Sequence, residues 1–360
     1  MSSDTYWSER TELERKRTDN TISTLMKRMN TLYTGTTQRI EKEIESFYAR
    51  YADKTGMTIS DVKKRLTDSE LRRFKTEVRE YYDEVNKYKK YKYGLIVYKR
   101  ELDELSARAY ISRLEDLKTQ IKYYVMKLGL SELTEMDKAL SDLYKDTFDH
   151  QYFNVDKSLG FSNGYAGLNT KIIDKALSKT WLGENYSDRI WKNKAKLLSS
   201  IETKFMQGVA MGKGVKDIAK EVSSDCNVSY NSALRLVTTE SGHIANEATF
   251  DSYQEHGVDK YQYVADLSEK TCPICGSLDG QVFKMSEMEE GINYPEMHPN
   301  CRCTTIAYYE PDELSDMLQS SRIAKDEEGK WFDVPSSMTY AQWYDKIYGR
   351  KESDNAGKKS

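Results

Sequence analysis

Proline is scarce in this sequence, and its few copies are unevenly placed. Only five prolines occur among 360 residues, and the first of them is Pro273. Because proline interrupts helices, the chain before that position can form long helices free of this kind of break. The first three quarters of the sequence are therefore predicted to consist of helices and turns.

Long apolar runs and a strong excess of one charge are also missing. No apolar stretch approaches the length that crosses a bilayer, so we expect no membrane span. The formal net charge is -3 while 31% of the residues are charged, and the mean hydropathy is -0.78. This balance argues against a dedicated nucleic-acid binder, although it leaves a local basic face open.

Cysteine and histidine are rare as well, with five and four residues. The stretch 271–303 nevertheless contains four of the cysteines and one histidine. Cys-x-x-Cys followed by His-x-x-Cys-x-Cys is the spacing of a structural zinc site, in which short turns present soft ligands to one metal. A structural Zn²⁺ takes four ligands, and the spacing does not decide which candidate is left over. The five candidates are Cys272, Cys275, His298, Cys301 and Cys303.

Two alternatives to structural zinc would use the same cysteines, namely disulfide bonds and a catalytic metal site. The polar start MSSDTYWSER lacks signal-peptide character, so we expect a reducing cytosol, which disfavours disulfides. The patterns typical of zinc deaminases and of His-Glu-x-x-His proteases are absent from the sequence. Structural zinc is the favoured prediction, and the other two remain open.

The cysteine-rich stretch is also predicted to belong to a small antiparallel sheet. Alternating residues at 261–266 and 301–308 indicate strands, and Asp279-Gly280 predicts a type I′ hairpin turn. Three short strands bury too little apolar surface to fold alone. The metal and the helix before the sheet are therefore expected to hold it together.

Apolar residues at helical spacing dominate the rest of the chain. Separate helices are predicted over 105–128 and 131–154, and again over 215–222 and 229–256. The predicted fold class is mainly α, with a small α+β module at the C-terminal end. We predict three consecutive regions: an elongated helical region at 1–158, helices plus a zinc-stapled β-hairpin (261–308) at 159–310, and a C-terminal helix, aromatic anchor and disordered tail at 311–360.

A polar stripe follows the helix that precedes the zinc segment. Its members are Arg235, Thr239, Glu240, His243 and Glu247. Two carboxylates beside a histidine could hold a metal or tune a proton donor. The favoured prediction is a structural stripe that supports the zinc unit, with no catalytic residues and no enzymatic activity.

A lysine- and tyrosine-rich segment, KYKKYKYG, ends at Gly94. Tyrosines interleaved with lysines can bind nucleic acid by stacking on bases and contacting phosphates. Acidic residues just upstream favour the alternative of a solvated helix end.

Several of these segments together resemble a known family. The run RLVTTESGHIANEATFDSYQEHGVDKYQYVADLSEKTCPICGSLDGQVF, followed by HPNCRC, resembles the head-morphogenesis domain of tailed-phage minor head proteins, the Mu F-like family. The segments YWSERTELERK, IEKEIESFYARYA, NYSDRIWKN and MTYAQWYDKIYG are similar to minor capsid proteins of phages and prophages of Gram-positive bacteria. Thr238 departs from the pattern, since a basic residue is expected there in many members.

The resemblance implies a minor capsid protein, and it makes the region 159–310 a head-morphogenesis domain. Such a protein is a virion component that associates with the portal protein, other head proteins and the scaffold. It is found in the capsid interior or at the portal vertex, after assembly in the host cytoplasm. It can assist packaging or ejection of the phage DNA. Two alternatives stay open: a metal-dependent nuclease or protein-modifying enzyme centred on His243 and Glu247, and a DNA-binding ejection protein that uses KYKKYKYG.

Overall fold

The fold is mainly helical, with short strands confined to the C-terminal third, and the predicted fold class is confirmed. The computed structural model describes residues 3–52, 56–87, 92–159, 168, 170–181, 183–266, 271–310, 321–325 and 331–335. The helices are α1 (Ser3–Tyr51), α2 (Ile59–Lys63), α3 (Asp68–Asn86), α4 (Lys92–Ala107), α5 (Arg113–Leu159), α6 (Thr170–Ser178), α7 (Tyr186–Ala210), α8 (Val215–Glu255) and α9 (Pro273–Leu278). The strands are β1 (Lys260–Val264), β2 (Val282–Lys284), β3 (Thr304–Tyr308), β4 (Ser321–Lys325) and β5 (Trp331–Pro335).

Two of the long helices are continuous where the sequence predicted breaks. Helix α5 joins most of the helix predicted over 105–128 to the one predicted over 131–154, and α8 joins those predicted over 215–222 and 229–256. The predicted start at residue 105 was wrong, because α4 ends at Ala107 and α5 begins only at Arg113. Gly129 lies within α5, where a Cβ atom would stand 2.8 Å from the ring of Trp191. Glycine is therefore used there for close packing and does not end the helix. Among the helices in the described ranges, none is both long and apolar enough to cross a bilayer.

The chain divides into two compact units, and each unit collects segments that are distant in sequence. The sheet unit comprises Met1–Ser23, Lys138–Lys179 and Thr238–Ser360. The helical unit comprises Thr24–Asp137 and Thr180–Val237. The long helices α1, α5 and α8 each contribute residues to both units, which a division into consecutive regions does not anticipate. The region boundaries proposed from the sequence, at 158/159 and 310/311, stay a prediction.

The sheet unit contains the three-stranded antiparallel sheet, in the order β2-β1-β3. Tyr261 of β1 lies opposite Phe283 on one neighbouring strand and Ala307 on the other. A core formed by buried side chains of this sheet, α5 and α8 covers one face, and its aromatic members include Phe250, Tyr253, Tyr261 and Tyr294. The prediction that 301–308 contains a strand pairing with β1 is confirmed.

The turn between the cysteine pair and β2 differs from the predicted one. Asp279 has φ -55 and ψ 130, Gly280 has φ +74, and the amide of Gln281 donates to the carbonyl of Leu278 at 3.0 Å. These values define a type II turn, so the prediction of type I′ was wrong. The physical reason is that the turn follows the short helix α9, not a strand, and has no strand twist to match.

The last predicted region, 311–360, is only partly described. Strands β4 and β5 pair in an antiparallel ribbon that the sequence analysis did not predict. Residues 321–325 carry charged and small residues, so the alternation typical of a half-buried strand is weak there. The helix expected from Pro311, the aromatic segment 338–344 and the C-terminal tail lie outside the described residues, as do residues 88–91 of the lysine-rich segment.

The helical unit buries an ion pair in its interior. Lys194 Nζ lies 2.5 Å from Glu132 Oε2, and the two side chains are 2% and 1% exposed. The hydroxyl of Tyr33 donates to the same carboxylate at 3.1 Å, and Lys194 Nζ also donates to Tyr33 Oη. Buried charges are tolerated when they are paired and hydrogen-bonded in this way.

We expect the substitution Lys194→Met to lower the free energy of unfolding by about 3–5 kcal/mol, because it leaves the carboxylate of Glu132 buried without its counter-charge. Urea unfolding followed by circular dichroism measures the loss. The control is Lys192→Met on the same helix, where the side chain is 64% exposed. That change should cost less than about 1 kcal/mol. Equal losses in the two variants would contradict a special role for the buried pair.

Candidate metal centre

The first two metal-donor candidates flank the start of helix α9. Cys272 is its N-cap residue, with φ -73 and ψ 158, and Pro273 follows at the first helical position. Proline suits this position because its fixed φ is helical and no hydrogen bond is lost. The amide of Cys275 donates to Cys272 Sγ at 3.4 Å. The helical turn thus directs both sulfur atoms to one side, and Cys275 is fully buried.

The other three candidates lie on the segment 295–303, which we term the cysteine loop. Asn300 adopts φ 63, in the left-handed region, so the chain turns back on itself. The amide of Cys301 then donates to the carbonyl of His298 at 3.0 Å. This tight turn is what brings the imidazole and the thiol of Cys301 to the same place.

The donor atoms are spaced as ligands of one tetrahedral ion. Cys275 Sγ lies 3.5 Å from His298 Nε2 and 3.9 Å from Cys301 Sγ. Sulfur and nitrogen ligands bound to one tetrahedral zinc are separated by about 3.4–3.8 Å, given the usual bond lengths. The two overlapping donor groups are Cys272, Cys275, His298 and Cys275, Cys301, Cys303. The structure therefore brings together all five candidates predicted from the sequence, and this cluster could hold a metal ion.

The imidazole of His298 is oriented for metal binding through Nε2. Its Nδ1 lies 3.1 Å from the carbonyl oxygen of Pro299, which can only accept a hydrogen bond. The proton is therefore assigned to Nδ1, and the lone pair of Nε2 faces the sulfur of Cys275. Metal-binding histidines are commonly fixed in one tautomer by a carbonyl in this manner.

The pKa values show why the thiol cluster suits a cation. A hydrogen bond from the backbone amide of Cys275 lowers the pKa of Cys272, while burial raises the pKa of Cys275 to about 12. The thiol of Cys301 donates to Cys303, which raises the pKa of Cys301 and lowers that of Cys303. The crowded thiols cannot all ionise next to one another. A bound cation would stabilise several thiolates at once.

All five cysteines are free thiols, and the separation of Cys275 Sγ and Cys301 Sγ is far beyond a disulfide bond of about 2.05 Å. The fifth cysteine, Cys226, lies in the core of the helical unit and takes no part in the cluster. It is separated from the other four by most of α8.

Helix α8 holds the cysteine loop through one of its faces. Thr239 Oγ1 accepts a hydrogen bond from the amide of Asn300 at 3.0 Å, and Asn246 Nδ2 donates to the carbonyl of Cys303 at 3.2 Å. Between them lies Gly242, where an added Cβ would stand 3.0 Å from Glu296 Cδ and 3.5 Å from the Cys301 carbonyl oxygen. Positions i, i+3 and i+7 of a helix share a face, so the three residues contact the loop together.

The predicted polar stripe is divided among different surroundings. Thr239 contacts the cysteine loop as just described, and Glu240 is buried. His243 Nδ1 lies 2.6 Å from Glu290 Oε1, and Glu247 Oε2 lies 2.6 Å from Lys179 Nζ. Arg235 is exposed and belongs to the helical unit.

Three residues that position the site are not among the candidates predicted from the sequence. They are Gly242, Asn246 and Glu296. Gly242 and Asn246 continue the helical face that begins at Thr239, and this spacing was the available signal. No sequence pattern indicates the role of Glu296, because only the folded loop places its carboxyl group in the interior.

Similarity to a known protein family covers the helix, the cysteine loop and the sheet described above. Residues 199–306 match the family model for phage Mu protein F like protein. This segment is similar to that family, and we term it the Mu F-like domain. It begins within α7, includes all of α8 and ends within β3, so it contains all five donor candidates. The family resemblance noted in the sequence is confirmed, and the match supports a protein associated with the phage head.

Two proteins are similar to parts of the chain that are longer than this segment. The NAD(+)--arginine ADP-ribosyltransferase EFV of Enterococcus faecalis (strain ATCC 700802 / V583) is 25% identical over 207 residues, which cover 54% of this chain and 41% of that protein. An uncharacterized protein of Haemophilus influenzae (strain ATCC 51907 / DSM 11121 / KW20 / Rd) is 23% identical over 135 residues, covering 38% of this chain and 30% of that protein. The chain thus matches less than half the length of either relative. No solved structure matches it.

The close approach at Gly242 gives a direct test of how the Mu F-like domain is held together. We expect Gly242→Ala to lower the free energy of unfolding by about 1–3 kcal/mol, because the new methyl group overlaps the Glu296 carboxyl group and displaces the loop. Gly276→Ala is the matched control, since nothing lies within 4 Å of a Cβ at that position. Thermal and urea denaturation measure both. An unchanged Gly242→Ala protein would show that the helix and the loop are not in close contact.

Proposed function

We propose that this protein is a minor capsid, or head-morphogenesis, protein of a tailed phage or prophage. The observation that carries the proposal is the match of residues 199–306 to the phage Mu protein F like family. In this role it binds the portal protein and other head proteins, with the scaffold as a further candidate partner, while the head assembles in the host cytoplasm. Its place in the mature virion is the capsid interior or the portal vertex, where it can assist packaging or ejection of DNA.

We further propose that the cysteine cluster holds a structural Zn²⁺ ion. Three thiols and one imidazole are the usual donor set of such sites, and they prefer Zn²⁺ to the hard cations. Cys272, Cys275 and His298 would supply three ligands, and Cys301 the fourth, since its sulfur lies 3.9 Å from that of Cys275. When bound, the ion would cross-link α9 to the cysteine loop.

The role we propose is not enzymatic. A structural zinc with four protein ligands has no open position for a substrate or an activated water. In addition, His243 and Glu247, the residues considered for a catalytic site, face Glu290 and Lys179 respectively. The transferase activity named for the E. faecalis relative is not extended to this chain, because the similar part covers 41% of that protein.

Removing the first ligand pair tests the zinc assignment. We expect the double variant Cys272→Ser, Cys275→Ser to lose its zinc and to melt at a lower temperature, because metal binding contributes folding free energy to the small sheet. Plasma emission spectrometry gives the zinc content, and Cys226→Ser is the control that should keep one zinc per chain. Cys303→Ser should also keep it if Cys301 is the fourth ligand. Full zinc in the double variant would contradict the site.

The assembly role is tested in cells that produce the phage. We expect an affinity-tagged copy of the chain to co-purify with portal protein and with filled heads, and the double cysteine variant to be depleted from both. The loss follows from the loosened Mu F-like domain.

Two outcomes would favour the alternatives. Chelator-sensitive cleavage of DNA by the purified protein would indicate a nuclease. Retention on DNA at low salt that falls steeply as salt rises would indicate a DNA-binding ejection protein. A tagged protein absent from heads would contradict the capsid assignment itself.

A further inference from the structure

A small cavity lies beside the cysteine loop. It has a volume of about 60 Å³ and is lined by residues of α1, α5, α8, the loop and the first residue of β3, all within the sheet unit. A water needs roughly 10–15 Å³ of such volume, whereas pockets for organic ligands usually start near about 300 Å³. The cavity therefore has room for a hydrated ion but not for a metabolite or a cofactor.

Three residues that line this cavity, from three separate segments, each carry a buried oxygen atom without a hydrogen-bond partner. The atoms are Glu14 Oε2 on α1, Gln151 Oε1 on α5 and Glu296 Oε2 on the cysteine loop, and none finds a partner within the described part of the chain. The three residues are 9%, 6% and 1% exposed. A buried oxygen of this kind costs about 1–3 kcal/mol when it stays unpaired, and more when it is charged.

The charges around the cavity leave one carboxylate uncompensated. Arg302 is paired with Asp19, and Arg15 directs its guanidinium to the carbonyl of Ala265, at 2.9 Å, and towards Asp266. Glu14 shares its other oxygen with Arg17 at 2.5 Å. The remaining acid is Glu296.

For Glu296, the contact to Oε1 comes from a neutral amide, Asn246 Nδ2, at 3.3 Å. A fourth lining residue, Arg15, also carries a buried atom without a hydrogen-bond partner, its Nε. The lining residues thus carry more buried acceptor oxygens than donors to pair with them.

We propose that this cavity binds a hard divalent cation, Ca²⁺ or Mg²⁺, through Glu14, Gln151 and Glu296 together with waters. Carboxylate and amide oxygens are the ligands of these ions, and thiol groups are not. The site is chemically distinct from the thiol cluster, although both use the cysteine loop. Its effect would be to fasten the first turns of α1 and the end of α5 to the Mu F-like domain, because Glu14 and Gln151 lie outside the matched residues 199–306.

The test is calorimetric titration of the full-length protein with CaCl₂ and, separately, with MgCl₂. One cation per chain is expected, and the difference between the two titrations identifies which ion the site prefers. Glu296→Gln and Glu14→Gln should each weaken binding by about tenfold or more, since each removes one charged ligand. The matched control is Glu12→Gln, whose side chain is 57% exposed on the same helix. It should leave the affinity unchanged.

Zinc content measured on the same samples separates this site from the thiol cluster. Cation binding that is lost in the two glutamine variants while zinc is retained supports a separate site. If the protein is isolated without zinc, the zinc proposal fails. Cation binding by that protein would still support the separate site. Absence of binding up to about 10 mM of either ion, or binding that both variants leave unchanged, overturns the proposal.

Discussion

Helix α8 and the cysteine loop approach each other so closely that only a glycine fits between them. Gly242 occupies the point of contact, and Thr239 and Asn246 bind the loop backbone on either side of it. This contact fixes the path of the loop before any metal is considered. Because the loop carries His298, Cys301 and Cys303, the helix determines where three of the five donor atoms lie. The other two depend on α9, whose first turn presents the sulfur atoms of its own cysteine pair.

The sheet behind this site is too small to be stable by itself. Its strands have five, three and five residues. The core on one face comes largely from aromatic residues, and the tyrosine hydroxyls find backbone partners, as when Tyr294 donates to the carbonyl of Asn246 at 2.7 Å. Helix packing on one side and metal ligation on the other would supply the remaining free energy.

Both units bury charged side chains, but they compensate them differently. In the helical unit Lys194 and Glu132 form a pair inside the core, and Tyr33 joins them. In the sheet unit the carboxyl group of Glu296 is equally buried, and burial raises its pKa. A charge that is paired inside the chain fixes the packing of helices permanently. A buried carboxyl group beside a cavity leaves the compensation to solvent, a proton or an ion.

The sequence by itself determined the helical character of the chain, the five donor candidates and the strands at β1 and β3, because these follow from proline placement, ligand spacing and local alternation. It also sufficed to recognise the Mu F-like family from the segment around α8. Only the tertiary structure decided that α5 and α8 are continuous, since Gly129 is used for packing against Trp191 and local propensity cannot show this. The turn at Asp279-Gly280, the roles of Gly242 and Asn246, and the burial of Glu296 likewise depend on which distant segment lies opposite, and no local pattern encodes that.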